Sequence, residues 1–223
     1  DVVNYIKAVN YGIELLNELP ICTRFFNKIH KVLLKDIRGQ HKSPGSVREK
    51  QNWIGPRNAL LNEAWFVPPD IEDMNKCLSD LEKYINTYVT IHPLIKLSLI
   101  HYQFETIHPY LDGNGRLGRL LISLFLKQDK FLSNPILYLS LYLKQHRSEY
   151  YELLTNVRIY GDYERWVKFF LKGIIDTSKQ VIHTITEIQK IKNDWQERIV
   201  KLNKNNENLL LKMLNFIFSV PYF

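Results

Sequence analysis

The stretch His101-Tyr102-Gln103-Phe104-Glu105-Thr106-Ile107-His108-Pro109-Tyr110-Leu111-Asp112-Gly113-Asn114-Gly115-Arg116-Leu117-Gly118-Arg119 decides the reading of this chain. Before it, Pro93 suits the first turn of a helix whose Leu94, Leu97, His101 and Phe104 share a face. After it comes a strongly apolar helix with Leu120, Leu121, Leu124 and Phe125. Between the two, Gly113 and Gly115 let the backbone turn tightly and approach a ligand closely. The second helix points its free N–H groups and positive dipole end into that loop, which is the physics of an anion site for phosphates. Arg116 and Arg119 put two guanidiniums on the loop side of the first turn, and two such forks suit a polyphosphate. Asp112 is a hard oxygen ligand for Mg²⁺ beside phosphates. His108 is the group of this segment that takes a proton near neutral pH. A base, a magnesium carboxylate, an amide nest and two arginines together describe nucleotide-phosphate transfer.

Helical periodicity continues outward on both sides. Val3, Ile6, Val9, Ile13 and Leu16 form one apolar face, closed by Pro20, and Phe25, Ile29, Val32 and Leu33 form a second. From 39 to 69 the pattern fails: Pro44-Gly45, Gly55-Pro56 and Pro68-Pro69 punctuate a loop with extended pieces around 64–67. Ile71, Met74, Leu78, Leu81 and Ile85 resume the helical spacing. Further helices are predicted over 148–158, 163–175 and 181–202, followed by a polar cluster at 203–208 and an apolar tail over 209–223. The fold class is therefore all-α, with one short hairpin-like insertion.

At 223 residues and 45% hydrophobic positions, the chain fits one globular domain with a small appendage, able to bury about 70% of its unfolded surface. Its apolar runs are too short to span a membrane. Cys22 and Cys77 show no CxxC spacing, which excludes a disulfide scaffold and suits a reducing, cytoplasmic compartment. The net charge of +7 comes from scattered residues, so it argues for solubility more than for a nucleic-acid partner. His30, His41, His92, His101, His146 and His183 make no metal-ligand pattern and read as structural. Trp53, Trp65 and Trp166 read as core aromatics before base-stacking ones.

The motif resembles the Fic family signature, H-x-F-x-[DE]-G-N-G-R-x-x-R, with Tyr110 standing where phenylalanine is usual. The resemblance extends to Gln51-Asn52-Trp53-Ile54-Gly55 before the family's flap, to Trp65-Phe66-Val67-Pro68-Pro69 as the flap hairpin, and to Glu149-Tyr150-Tyr151 and Gly161-Asp162 around the nucleotide pocket. It implies a Fic-type helical bundle with a short β-hairpin flap inserted before the motif helices. The implied boundaries are an N-terminal helical region at 1–40, a catalytic core at 41–176 and C-terminal helices at 177–223. That last segment resembles the start of a winged-helix domain, or folds back on the core as a terminal helix.

Members of the family transfer AMP from ATP to a Ser, Thr or Tyr hydroxyl of a target protein. The resemblance implies the same here, with self-modification as well. His108 would deprotonate the hydroxyl and Asp112 would hold Mg²⁺. Nucleotide contacts would run through Gly113, Asn114, Gly115, Arg116, Leu117, Gly118 and Arg119, with Tyr151 on the adenine side. The flap residues Ala64, Trp65, Phe66 and Val67 would align the target as an added strand. No [ST]-x-x-x-E-[GN] inhibitory pattern occurs: Glu14 follows Asn10, and Glu207 follows Asn203 at the Ser/Thr position. Residues 1–16 resemble the helix that comes after the inhibitory one. The expectation is thus truncation beyond that helix, an unpaired Arg119 and a constitutively active chain. A homodimer is compatible with this reading, and DNA would be met only through an absent C-terminal domain. Two alternatives stand beside it. One is a Fic-fold transferase with another donor, UMP or phosphocholine, where Gly115 disfavours the kinase-like branch. The other is a non-enzymatic, ATP-sensing regulator, against which the intact His108 and Asp112 argue.

Overall fold

Helix α5 (Asn114–Gln128) is apolar almost all round, so it has to be enclosed, and the fold is built to enclose it. The computed structural model describes residues 2–37, 39–56, 60–87, 90–133, 135–202 and 206–219. Along the chain, α1 (Val2–Leu15), α2 (Thr23–Leu33), α3 (Ile71–Asn86) and α4 (Pro93–Ile107) precede α5. α6 (Leu139–Gln145), α7 (Arg147–Tyr160), α8 (Tyr163–Lys201) and α9 (Glu207–Ser219) follow it. α5 packs against α1, α2, α4 and α6, and Leu117, Leu120 and Leu124 on it are fully buried. Gly12 lets α1 come close: a Cβ there would stand 2.6 Å from Leu124 Cδ1.

Helix ends follow local chemistry. Asp70 caps α3 by accepting from the Asp73 N–H at 2.9 Å, and Pro93 opens α4. Glu82 of α3 reaches across to accept from both the N–H and the hydroxyl of Thr23, at 2.9 and 3.0 Å, which ties the start of α2. Trp166, fully buried, donates its indole N–H to the Ser98 carbonyl at 3.0 Å and so joins the first turn of α8 to α4. Trp166 thus belongs to the core as expected, whereas Trp65 is 72% exposed.

The chain divides into two compact units, Asp1–Ile174 and Ile175–Phe223. The first holds the motif. In the second, Ile199 and Leu214 are buried while Leu209, Met213, Phe216 and Ile217 of α9 are exposed. The helices expected at 163–175 and 181–202 are one continuous α8, because the intervening Asp176-Thr177-Ser178-Lys179-Gln180 contains no glycine or proline to end it. The short α6 has no counterpart among the predicted elements. Part of the polar cluster, 203–205, and Pro221-Tyr222-Phe223 lie outside the described residues.

The flap hairpin needs correction. No strand occurs among the described residues, and the segment expected to form a hairpin makes one isolated antiparallel bridge, Ile54 with Phe66. Ile54 N–H donates to the Phe66 carbonyl at 2.8 Å, and the Trp65 and Phe66 N–H groups reach the Ile54 carbonyl at 2.8 and 3.1 Å. The ladder stops there because Pro56, Pro68 and Pro69 have no N–H to donate. Side chains replace the missing rungs: Gln51 donates to the Pro68 carbonyl at 2.9 Å and Arg48 to that of Pro69.

Candidate active site

α4 ends at His108, a non-glycine residue in the left-handed region (φ 49°, ψ 60°) whose N–H bonds to the Phe104 carbonyl at 3.0 Å. A left-handed C-terminal turn is usually given to glycine, and histidine is among the residues that tolerate it. The turn swings the chain out of α4 and leaves the imidazole partly buried, with Nδ1 3.3 Å from the Glu105 carbonyl. A second left-handed residue, Gly113 (φ 86°), turns the chain into α5. Leu117 N–H bonds to the Gly113 carbonyl at 2.9 Å. The amides of Asn114, Gly115 and Arg116 therefore belong to the first turn, where an α-helix leaves its donors without helical partners.

The loop between these turns is clamped on every side. Asn114, only 2% exposed, accepts from the Tyr110 N–H at 2.8 Å and donates to the Tyr110 carbonyl at 2.6 Å. The Tyr110 hydroxyl donates to Asn27 Oδ1 at 2.7 Å, so the one departure from the signature adds a hydrogen bond to α2. His30 stacks on the Tyr110 ring with centroids 3.9 Å apart. Its Nδ1 accepts from the Gly45 N–H at 2.9 Å, so Nε2 carries the proton and donates to the Asp112 carbonyl at 2.8 Å. Arg48, 1% exposed, donates to the His108 carbonyl at 3.1 Å, and its own N–H reaches the Pro109 carbonyl at 2.8 Å. Asn52 donates to the Tyr110 carbonyl at 2.9 Å.

Asp112 Oδ1 accepts from the Gly113 N–H at 2.6 Å and pairs with Arg116 Nη2 at 3.2 Å. Arg119 folds back over Gly115, where a Cβ would stand 3.0 Å from Nη1. It makes no ion pair with a described residue. Beside the motif lies a cleft of about 430 Å³. Trp65 and Phe66 form its loop side, Arg147, Tyr151 and Arg158 of α7 the other, and Glu105 of α4 closes it. The Arg158 guanidinium sits 3.6 Å from the centre of the Phe66 ring, a cation–π contact that fixes the flap side chain.

Residues 20–126 match the family model described as Fic/DOC family. That segment is a Fic/DOC family domain. It is 30% identical over 180 residues to the protein adenylyltransferase Fic of Aedes aegypti, a match covering 76% of this chain and 32% of that protein. It is 29% identical over 150 residues to the protein adenylyltransferase Fic of Drosophila erecta, covering 62% and 27%. The fold is similar to that of a Fic family protein from Desulfovibrio desulfuricans G20, with a TM-score of 0.66 and 25% identity over 81% of this chain and 53% of that one. The chain spans about a third of the length of the curated relatives it matches.

In this Fic domain the expected site residues separate into two groups. His108, Asp112, Gly115, Arg116 and Arg119 gather around the start of α5, and Tyr151 joins Trp65 and Phe66 at the cleft. The side chain of Asn114 is committed to Tyr110, the Gly113 N–H to Asp112, and Leu117 is fully buried in the core. Gly118 faces α4, with its would-be Cβ 2.6 Å from Glu105 Oε1. Ala64 and Val67 flank the bridge and do not line the cleft. Sequence reading gives no site role to His30, Arg48, Asn52 or Glu105. Among the described residues no cluster of three His, Cys, Asp or Glu side chains forms a metal cage, and no helix is long and apolar enough to cross a membrane.

Burial governs the site's protonation. It lowers His108 to about 4, helped by the nearby Arg48 and Arg158 charges and opposed by the Glu105 carbonyl. It lowers His101 to about 3, with the Arg119 charge adding to the shift, and it lowers His30 as well. Folded imidazoles that resist protonation leave the unfolded chain binding more protons below pH 6.5, so stability falls with acid. Glu105 opposes this: burial raises it to about 7 from 4.5, so it takes up its proton in the folded state and stabilises as pH falls through 7. Three imidazoles outweigh one carboxyl. Urea unfolding should therefore show a net loss on the order of 1–3 kcal/mol between pH 7 and pH 5. A stability that rises over that interval would contradict the burial of these rings.

Proposed function

We propose that this Fic domain is a protein adenylyltransferase, moving AMP from ATP to a hydroxyl of a protein substrate. The name carried by its curated relatives supports the reaction class. The observation that carries the reading for this chain is the state of His108. With Nδ1 directed at the Glu105 carbonyl, the ring's proton belongs on Nδ1 and the Nε2 lone pair is free. Burial keeps the ring neutral at pH 7. A neutral imidazole with its basic nitrogen unengaged, beside a helix start and two arginines, is a general base next to an anion site.

On this reading His108 Nε2 takes the proton of the incoming Ser, Thr or Tyr hydroxyl. The oxygen attacks the α-phosphorus, the bond from that phosphorus to the bridging oxygen breaks, and pyrophosphate leaves. The first-turn amides of α5 and Arg116 receive the phosphates, and Arg119, over Gly115, reaches the far end of the chain of phosphates. Asn114 acts through Tyr110, holding the loop in shape. A single carboxylate, Asp112, fits a magnesium ion that takes its remaining ligands from phosphates and water, and such an ion would neutralise phosphate charge. Trp65 and Phe66 border both the nucleotide cleft and the face where a target segment would lie.

The test uses the label's position. Incubated with Mg²⁺ and ATP labelled at the α-phosphate, the chain is expected to label itself or an added acceptor, and ATP labelled at the γ-phosphate should leave no label. Transfer from the γ-position would make it a kinase, and transfer from CTP, GTP or UTP in preference to ATP would change the donor.

A further inference from the structure

Two buried side-chain oxygens among the described residues have no hydrogen-bond partner, Asn52 Oδ1 and Glu105 Oε1. The second is the more costly. Glu105 is 7% exposed, and a carboxyl buried without donors is destabilising unless something satisfies it. No side chain among the described residues satisfies Oε1. Oε1 is pressed toward Gly118, and the charged or titratable groups facing Glu105 are Arg119 of α5 and Arg158 and Tyr150 of α7. Neither arginine forms an ion pair with it, Arg119 lying over Gly115 and Arg158 over the Phe66 ring.

This orphaned carboxyl lines the same 430 Å³ cleft as Trp65, Phe66 and Tyr151. Aromatic faces around the opening suit a flat heterocycle. Arg147 and Arg158 line the cleft too, so charge alone does not exclude phosphate from it; the aromatic faces favour the heterocyclic end of a nucleotide here, and the first-turn amides of α5 take its phosphates. We propose that Glu105 is the base-reading residue of this site, its carboxyl turning from Gly118 toward the cleft to accept a hydrogen bond from the exocyclic amino group of adenine. The proposal rests on the reading of the cleft as a nucleotide site. Burial that raises Glu105 to about 7 supports it, because a carboxyl carrying its proton also donates to the neighbouring ring nitrogen of adenine. A site built around such a bond rejects a ligand lacking the donor, since the buried oxygen is then left unpaired.

The experiment is calorimetric titration of the chain with ATP and with purine riboside triphosphate, which differs only in lacking the amino group, both with Mg²⁺. Wild type should prefer ATP roughly 10- to 100-fold. Glu105→Gln, which keeps an acceptor and a donor, should retain the preference, and Glu105→Met should bring the ratio close to one without weakening purine riboside triphosphate. Thermal melting of both variants checks that they fold. Equal affinity of wild type for the two ligands, or an undiminished preference in Glu105→Met, overturns the role of Glu105 while leaving adenylyl transfer standing. If wild type binds neither triphosphate, the nucleotide site itself is refuted and this role with it.

Discussion

His108→Ala is expected to lower adenylyl transfer by roughly 10²–10⁴-fold while leaving ATP affinity within about twofold. The reason for the split is positional. The imidazole sits on the left-handed turn that ends α4, and the amides proposed to bind phosphate lie at the start of α5, so removing the ring should delete the proposed proton acceptor and leave the proposed anion site intact. The alanine also keeps the His108 backbone carbonyl, to which Arg48 is bonded. Alanine tolerates a left-handed φ less well than histidine, and His108→Asn therefore serves as a second variant that suits the backbone and lacks a base. Both should bind and neither should transfer. Because burial holds the ring near 4, wild-type transfer at pH 6 should stay within about twofold of that at pH 7.5. Full transfer by His108→Asn would remove the base from the mechanism, and an acid limb near 6.5 would mean a solvated ring.

The reach of sequence reading here follows the spacing of the chemistry. The motif was legible because base, carboxylate, glycines and arginines fall within twelve consecutive residues at a helix boundary, and no structure is needed to see that they will lie together. α5 was equally plain from its run of leucines. The groups that hold the motif in shape are single residues on distant segments: His30 on α2, and Arg48 and Asn52 in the loop before the flap. His30 left a faint signal, a polar residue among Phe26, Ile29 and Leu33 on a buried face. Arg48 and Asn52 lie in the segment that resembles the one before the family's flap, but nothing marks them as buried, since a loop has no period by which a buried position could be recognised. Glu105 lies in the motif helix, but the lack of a partner for its Oε1 is a property of three elements meeting, α4, α5 and α7. The hairpin was overestimated because aromatic and β-branched residues mark extended chain, whereas it is the prolines around them that decide whether a ladder can grow.

Arg48→Met is expected to lower the melting temperature by about 5–10 °C, equivalent to about 2–3 kcal/mol for a chain of this size. Two terms oppose each other. The guanidinium is buried and makes no ion pair with a described residue, its charge balanced at longer range by Asp70, so replacing it with an apolar side chain of similar reach recovers desolvation energy. Against that, the carbonyls of His108 and Pro69 lose a charged donor, and the longer contact to the Lys50 carbonyl goes too. Hydrogen bonds from a charged donor contribute about 1.5–3 kcal/mol each, and buried carbonyls left empty add to the loss. The second term wins. Its effect is directional, because Arg48 joins the base of the flap to the backbone of His108, the residue proposed as the base. Amide exchange at Ile54, Trp65 and Phe66 should accelerate in the variant well before exchange in α5 does. Arg48→Lys should not restore the wild-type melting temperature, since one ammonium cannot span carbonyls on both segments as the planar fork does. A melting temperature within 2 °C of wild type with unchanged exchange at the bridge would show that the Arg48 N–H to Pro109 bond and the Asn52 contacts hold the flap without the guanidinium.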